Sequence, residues 1–201
     1  MKIVGIDEVG RGPLAGPVTI GVVSIPYLKL GIIRRVFKNI RDSKQLTPSE
    51  REEWFEIICQ QAEAKNISFC VTSAKNFIID RDGISQAIRK LIARSLVKLK
   101  AHPLKTKIFL DGGLKAPRRY LNQKTIIKGD EKITVISIAS VAAKVLRDRH
   151  MKKIAKSFPE YGFEIHKGYG TPHHIEKIKK YGPCELHRMS FIKNFINVQN
   201  S

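Results

Sequence analysis

The run Ile3-Val4-Gly5-Ile6-Asp7-Glu8-Val9-Gly10-Arg11-Gly12-Pro13 constrains this chain more than any other segment. It is an apolar, strand-like stretch that closes on two adjacent carboxylates, and a carboxylate drawn out of water is costly unless a cation compensates it. Two further apolar runs lead to acidic residues, Ile108-Phe109-Leu110-Asp111 and Ile126-Ile127-Lys128-Gly129-Asp130. Four acidic side chains placed in this way, in a basic protein, point to a magnesium-type site that works on nucleic acid.

Neighbouring residues of a regular strand face opposite ways. Asp7 and Glu8 therefore serve one cluster only if the strand ends or distorts there, and Gly10 and Gly12 make a sharp departure feasible. Oxygen donors select hard cations, Mg²⁺ or Mn²⁺, and two such ions about 4 Å apart clamp an in-line phosphoryl displacement. Each acidic residue also has an ordinary reading. Asp7-Glu8 could be a solvated strand end, Asp111-Gly112-Gly113 a turn, and Asp130 a helix cap. The case rests on their combination.

The charge balance agrees with a polyanionic partner. Lys and Arg number 37 against 18 Asp and Glu, a formal charge of +19, which attracts nucleic acid first and an anionic membrane surface second. Residues 1–100 carry 17 basic and 10 acidic side chains, residues 101–201 carry 20 and 8, so the second half is the stronger candidate for tracking phosphates. No apolar stretch approaches the roughly 20 residues that span a bilayer. Asp7-Glu8 also comes too early for a signal-peptide apolar region. Cys59, Cys70 and Cys184 show no paired spacing and read as reduced thiols of a cytoplasmic protein.

Strands are expected over Lys2–Asp7, Val18–Ile25, Ile67–Ser73, Lys107–Leu110 and Lys124–Ile127. Thr47-Pro48-Ser49-Glu50 is a capping box that starts a helix running to about Ala64. Ile84–Leu99 repeats apolar residues at helical spacing, and Glu131–Lys156 reads as one long helix. The pattern predicts an α/β fold with a mixed sheet, its site at the carboxyl ends of the strands. The segment from about Phe158 reads as loops with a short helix near Pro172–Lys180, and Phe191, Ile192, Phe195 and Ile196 as an apolar patch that packs on the core. His166, His173, His174, Cys184 and His187 match no familiar zinc spacing and read as caps of that tail or as neighbours of backbone phosphates.

Two short loops add to the picture. Gly10-Arg11-Gly12 offers exposed backbone groups and one guanidinium, suited to a sugar hydroxyl, while Asp42-Ser43-Lys44 alone is an ordinary polar loop. Further landmarks are Leu110-Asp111-Gly112, Lys128-Gly129-Asp130, Ala139-Ser140-Val141-Ala142-Ala143-Lys144-Val145 with Arg147-Asp148, His166-Lys167-Gly168-Tyr169-Gly170-Thr171 and His187-Arg188-x-Ser190-Phe191.

In this order the segments resemble bacterial ribonuclease HII, the type 2 ribonuclease H, from about Ile3 to Phe191. The resemblance implies a ribonuclease H-like fold, a five-stranded mixed sheet flanked by helices with a small C-terminal helical element. It divides the chain into a catalytic region 1–157 and a substrate-binding element 158–201 packed on it as one compact unit. It implies a metal-dependent endonuclease that cuts RNA in RNA–DNA hybrids and incises 5′ to ribonucleotides embedded in DNA, leaving 3′-hydroxyl and 5′-phosphate ends. By motif position Asp7, Glu8, Asp111 and Asp130 take the metal-binding set, Gly10, Arg11 and Gly12 the loop that reads the 2′-hydroxyl, Lys44 a phosphate, and Tyr169 the neighbouring deoxyribose. Glu131-Lys132-Ile133-Thr134-Val135 departs from the family's run of small residues, which leaves metal preference open, and Gln45 stands where a second lysine is frequent. A monomer is expected. Contact with a sliding clamp stays open, with nothing in the sequence that supports it.

Overall fold

The computed structural model describes residues 1–196, with side chains as far as Lys193. Five strands, β1 (Lys2–Val9), β2 (Val18–Pro26), β3 (Ser68–Ala74), β4 (Thr106–Asp111) and β5 (Gln123–Ile126), form one sheet in the order β3-β2-β1-β4-β5. β1 and β3 run antiparallel to β2, whereas β1, β4 and β5 are parallel. The mixed sheet is the one expected, and its parallel half brings the carboxyl ends of β1, β4 and β5 to a common edge. The helices are α1 (Leu30–Val36), α2 (Pro48–Glu63), α3 (Asn76–Asp82), α4 (Ile84–Lys98), α5 (Gly129–Lys132), α6 (Thr134–Ala155), α7 (Phe163–His166), α8 (Pro172–Tyr181) and α9 (Met189–Ile196).

Strand alternation divides the core into two layers. Val4 and Ile6 of β1, with Ile20 and Val22 of β2, pack on α4 through Ile88, Leu91, Ile92 and Leu96. On the opposite face Ile3, Val23 and Ile25 meet α6, α2 and α1 through Ile136, Ala139, Ile58 and Ile33. The capping box of α2 is present, with Thr47 and Glu50 each accepting from the other's backbone N–H.

α6 rests on the sheet with nothing between. A Cβ on Gly5 would overlap the carbonyl of Val135, and one on Gly21 the carbonyl of Ala139. Gly21→Ala should therefore force α6 outward and cost about 1–3 kcal/mol, an overpacking penalty. A lowered urea midpoint at unchanged slope would show it, and an unchanged midpoint would mean that the helix shifts freely.

Three expectations need correction. β1 does not stop at Asp7 but keeps its pairing with β2 to Val9↔Thr19. The helix foreseen over Glu131–Lys156 is broken into α5 and α6, because Ile133 leaves the helical region at φ −128°, ψ 104°. Ser137 then donates its hydroxyl to the Asp130 carbonyl at 2.6 Å, which fixes the corner. The short α1, α3 and α7 were not foreseen, since seven residues or fewer give a periodicity argument almost nothing to count.

The segment after Phe158 is stitched back to the loop that follows β1. Leu14 donates its N–H to Gly168 O at 2.8 Å, Gly16 to Leu186 O at 2.9 Å, and Arg188 to Leu14 O at 2.7 Å. Thr171 caps α8, and Ile192 of α9 is buried beside Leu14 and Ile178. The side chains of Phe195 and Ile196 lie outside the described residues. No helix of the described residues is long and apolar enough to cross a membrane.

Candidate active site

β1 pairs with β4 only as far as Ile6↔Leu110, so beyond Ile6 its edge toward β4 is open. Asp7 folds over that edge and accepts the N–H of Glu8 at 2.8 Å. Asp111 ends β4 on the same side, held by the Gly129 N–H at 2.7 Å. Oxygens of Asp7, Glu8 and Asp111 consequently all lie within 4.8 Å of one another. The two adjacent residues stay on opposite faces of an unbroken strand, and it is their side chains that meet over its free edge.

Bringing negative groups together out of water has electrostatic consequences. Asp7 is 4 % exposed, and burial, reinforced by Glu8, Asp111 and Asp130 against a hydrogen bond from Ser140, pushes its carboxyl up to about 8. Burial also raises Glu8, with Asp111 adding to it and Arg11, whose guanidinium stands 3.7 Å away, opposing. Oε2 of Glu8 is buried without a hydrogen-bond partner. A cluster with surplus negative charge and an unused acceptor fits a divalent cation, and without one burial favours the protonated form of Asp7.

Asp130 stands beside this trio rather than within it. It is buried and 3.5 Å from the ammonium of Lys44, and burial together with a hydrogen bond that its protonated carboxyl donates to Asp42 holds it above the usual range. Burial works against the charge on Lys44, but Asp42, Asp130 and Asp7 together outweigh it and hold the ammonium above its ordinary value. Asp42 is a participant to which sequence reasoning gave no role. Its neighbour Ser43 bonds the Ser140 hydroxyl at 2.8 Å, linking the Asp42-Ser43-Lys44 loop to the helix that touches Asp7. Glu131, the unusual carboxylate, turns to Lys128 at 3.7 Å.

The Gly10-Arg11-Gly12 loop leaves β1 next to the trio. Gly10 is buried at φ +82°, whereas Arg11 and Gly12 are exposed. The loop is held from beneath by Arg188, which donates to Gly10 O at 2.6 Å, Arg11 O at 2.8 Å and Gly16 O at 3.0 Å. Arg147 donates to Pro17 O at 3.0 Å and Lys167 O at 3.1 Å, and its Nη1 has no partner. With the carbonyls turned inward, no backbone bond of the described residues uses the N–H of Arg11 or Gly12. Both arginines are buried, and burial lowers each guanidinium, Arg188 to about 9. Sequence reasoning quoted these arginines as landmarks without a role, and an isolated Arg carries no signal that it will be buried. Tyr169 is 41 % exposed, with the Arg147 guanidinium 5.8 Å from its ring centroid. It is therefore not an inward-packed anchor.

Of the tail histidines His166, His174 and His187 are buried and the last two form a hydrogen-bonded chain, whereas His173 is exposed. Nδ1 of His174 bonds the Tyr169 carbonyl at 2.9 Å, its Nε2 meets Nε2 of His187 at 3.1 Å, and Nδ1 of His187 accepts the Cys184 N–H at 2.9 Å. One neutral tautomer set satisfies all three contacts: His174 donates from Nδ1, and His187 donates from Nε2. Burial lowers both rings to about 4, in keeping with neutral rings. His174 and His187 thus serve the tail fold, and His174 fixes the main chain on which Tyr169 is mounted.

The sequence profile described as Ribonuclease HII matches residues 4–194. A ribonuclease HII of Caldicellulosiruptor bescii is 43 % identical over 196 residues, covering 98 % of this chain and 89 % of the relative. The ribonuclease H2 of Pyrococcus horikoshii OT3 superposes with a TM-score of 0.75 at 28 % identity, over 98 % of both chains. An Archaeoglobus fulgidus ribonuclease HII, solved in complex with PCNA, shares the fold at a TM-score of 0.76 and 24 % identity, over 99 % of this chain and 97 % of that one.

Proposed function

The chain belongs to the ribonuclease HII family of endoribonucleases, which act on RNA–DNA hybrids, and from that premise we propose that it also incises duplex DNA 5′ to an embedded ribonucleotide, leaving 3′-hydroxyl and 5′-phosphate ends. The observation that carries the reading is the meeting of Asp7, Glu8 and Asp111 oxygens within 4.8 Å at the strand edge from which the glycine-flanked loop departs. Asp7, Glu8, Asp111 and Asp130 would hold divalent cations, Mg²⁺ or Mn²⁺, which when bound supply an activated water and neutralise charge on the departing 3′-oxygen.

The remaining work falls to the chain's own groups. The unused N–H groups of Arg11 and Gly12, both exposed residues, suit a ribose 2′-hydroxyl, the group that separates RNA from DNA. Lys44, exposed at its ammonium and anchored at its base by Asp42, suits the adjacent phosphate. The half-exposed ring of Tyr169 suits the sugar that follows, where a 2′-hydroxyl would crowd it, so the contact favours deoxyribose.

Incubation with Mg²⁺ and a DNA duplex carrying one ribonucleotide should give a single cut on its 5′ side. Cleavage of continuous hybrid alone would leave only the hybrid activity standing. Tyr169→Ala should slow the single-ribonucleotide reaction about 10-fold or more, in line with stacking worth about 1–3 kcal/mol, and slow continuous hybrid less. Equal losses on both substrates would make Tyr169 general architecture.

A further inference from the structure

A trough runs away from the carboxylate edge between α4 and the connection from β4 to β5. Its near part, a cavity of about 240 Å³, is lined by Arg11, Arg89 and Lys115. Its far part, of about 630 Å³, is lined by Arg89, Lys90, Lys115 and Arg118. Arg89 and Lys115 border both, so the two adjoin along one line, and no carboxylate lines either.

Lys90 is engaged by Asp82 at 2.9 Å. Arg89, Lys115 and Arg118 are exposed and make no hydrogen bond or ion pair with any described residue. Many surface cations among the described residues are unpaired; these three are distinguished by bordering one trough whose lining holds no carboxylate. Like charges gathered along one groove raise the local potential and attract a polyanion.

The wall that carries Lys115 and Arg118 is also held in place. Gln123 accepts the Ala116 N–H at 2.8 Å and donates to Tyr120 O at 2.9 Å. Thr125 donates its hydroxyl to Leu114 O at 2.8 Å, and the Tyr120 hydroxyl reaches Ala101 O at 3.1 Å. The cations are thus presented from a pinned loop, which lowers the entropy lost when a ligand settles on them.

We propose that this trough is a second binding line for the sugar–phosphate backbone, in which Arg89, Lys115 and Arg118 grip one flank of the duplex beyond the cut. The proposal rests on the activity proposed above. Contacts to phosphate alone make the grip independent of sequence. Because the trough leaves Arg11 in one direction, it serves one flank and not the other.

The test uses the full chain with Arg89→Gln, Lys115→Gln and Arg118→Gln combined, and two duplexes with a single ribonucleotide, one long only on the 5′ side and one long only on the 3′ side. On one of the two, the variant's KM should rise about 10-fold or more, kcat should hold, and the slope of log K against log salt should become shallower by about 2 to 3, at roughly 0.9 per phosphate contact. The other duplex should behave as with wild type. Equal weakening on both duplexes, or an unchanged salt slope, overturns the proposal. If the wild type cuts neither duplex, the proposed activity fails. Metal-free binding by fluorescence anisotropy on the same pair then decides the trough by the same sidedness.

Discussion

Replacing Asp7 or Asp111 by asparagine should slow phosphodiester cleavage at least ~10³-fold, about 4 kcal/mol of barrier, while the protein still folds. Both residues meet over the free edge of β1, and an amide keeps the shape while removing the charge a cation needs. Asp7→Asn should also weaken a pH dependence of the metal-free protein. The carboxyl of Asp7 is raised by burial from 3.8 to about 8, so the fold favours its neutral form. That contribution is complete below the unfolded value and is lost as pH rises toward 8. Wild type should therefore lose melting temperature between pH 5 and about 8 in chelator, and regain it when Mg²⁺ or Mn²⁺ is added. The Asn variant should lose less and respond less to metal. Near-wild-type cleavage by both variants would remove these residues from the reaction.

Arg188→Met should be the most damaging substitution outside the carboxylates, costing about 3 kcal/mol or more in denaturant unfolding. The methionine fills similar space but strands the carbonyls of Gly10, Arg11 and Gly16, which Arg188 now satisfies. The loop beside the site would then lose its support, so cleavage should fall even at temperatures where the variant remains folded. Arg188→Lys, whose ammonium cannot reach all three oxygens at once, should fall between. Wild-type stability in the Met variant would mean that the loop is held by its own conformation.

Much of this was legible in the chain. The capping box of Thr47 and Glu50, the apolar stripe from Ile84 and the short buried strands each carry a local signal. The acidic residues were found because carboxylates at the ends of apolar runs are anomalous. What escaped was set by distant partners. That Asp42 would share a hydrogen bond with Asp130, or that Arg147 and Arg188 would sink beneath the loop after β1, depends on segments more than 80 residues apart in the chain. The continuity of β1 through Glu8 escaped for a different reason. Strand geometry excludes two neighbours from one face, but it leaves them free to meet beyond a strand's unpaired side.

The seating of α6 on Gly5 and Gly21 fixes where variation in such an enzyme has room to occur. Main chain against main chain behaves as a rigid spacer: the gap between the strand of Asp7 and the helix of Ser140 cannot be widened by gradual exchange of one side chain for a larger one. Any drift at those two positions meets a wall at the first methyl group. Room for single exchanges lies on the opposite bank, in the β4–β5 connection, where Lys115, Arg118, Arg119 and Leu121 stand in solvent and can change one at a time.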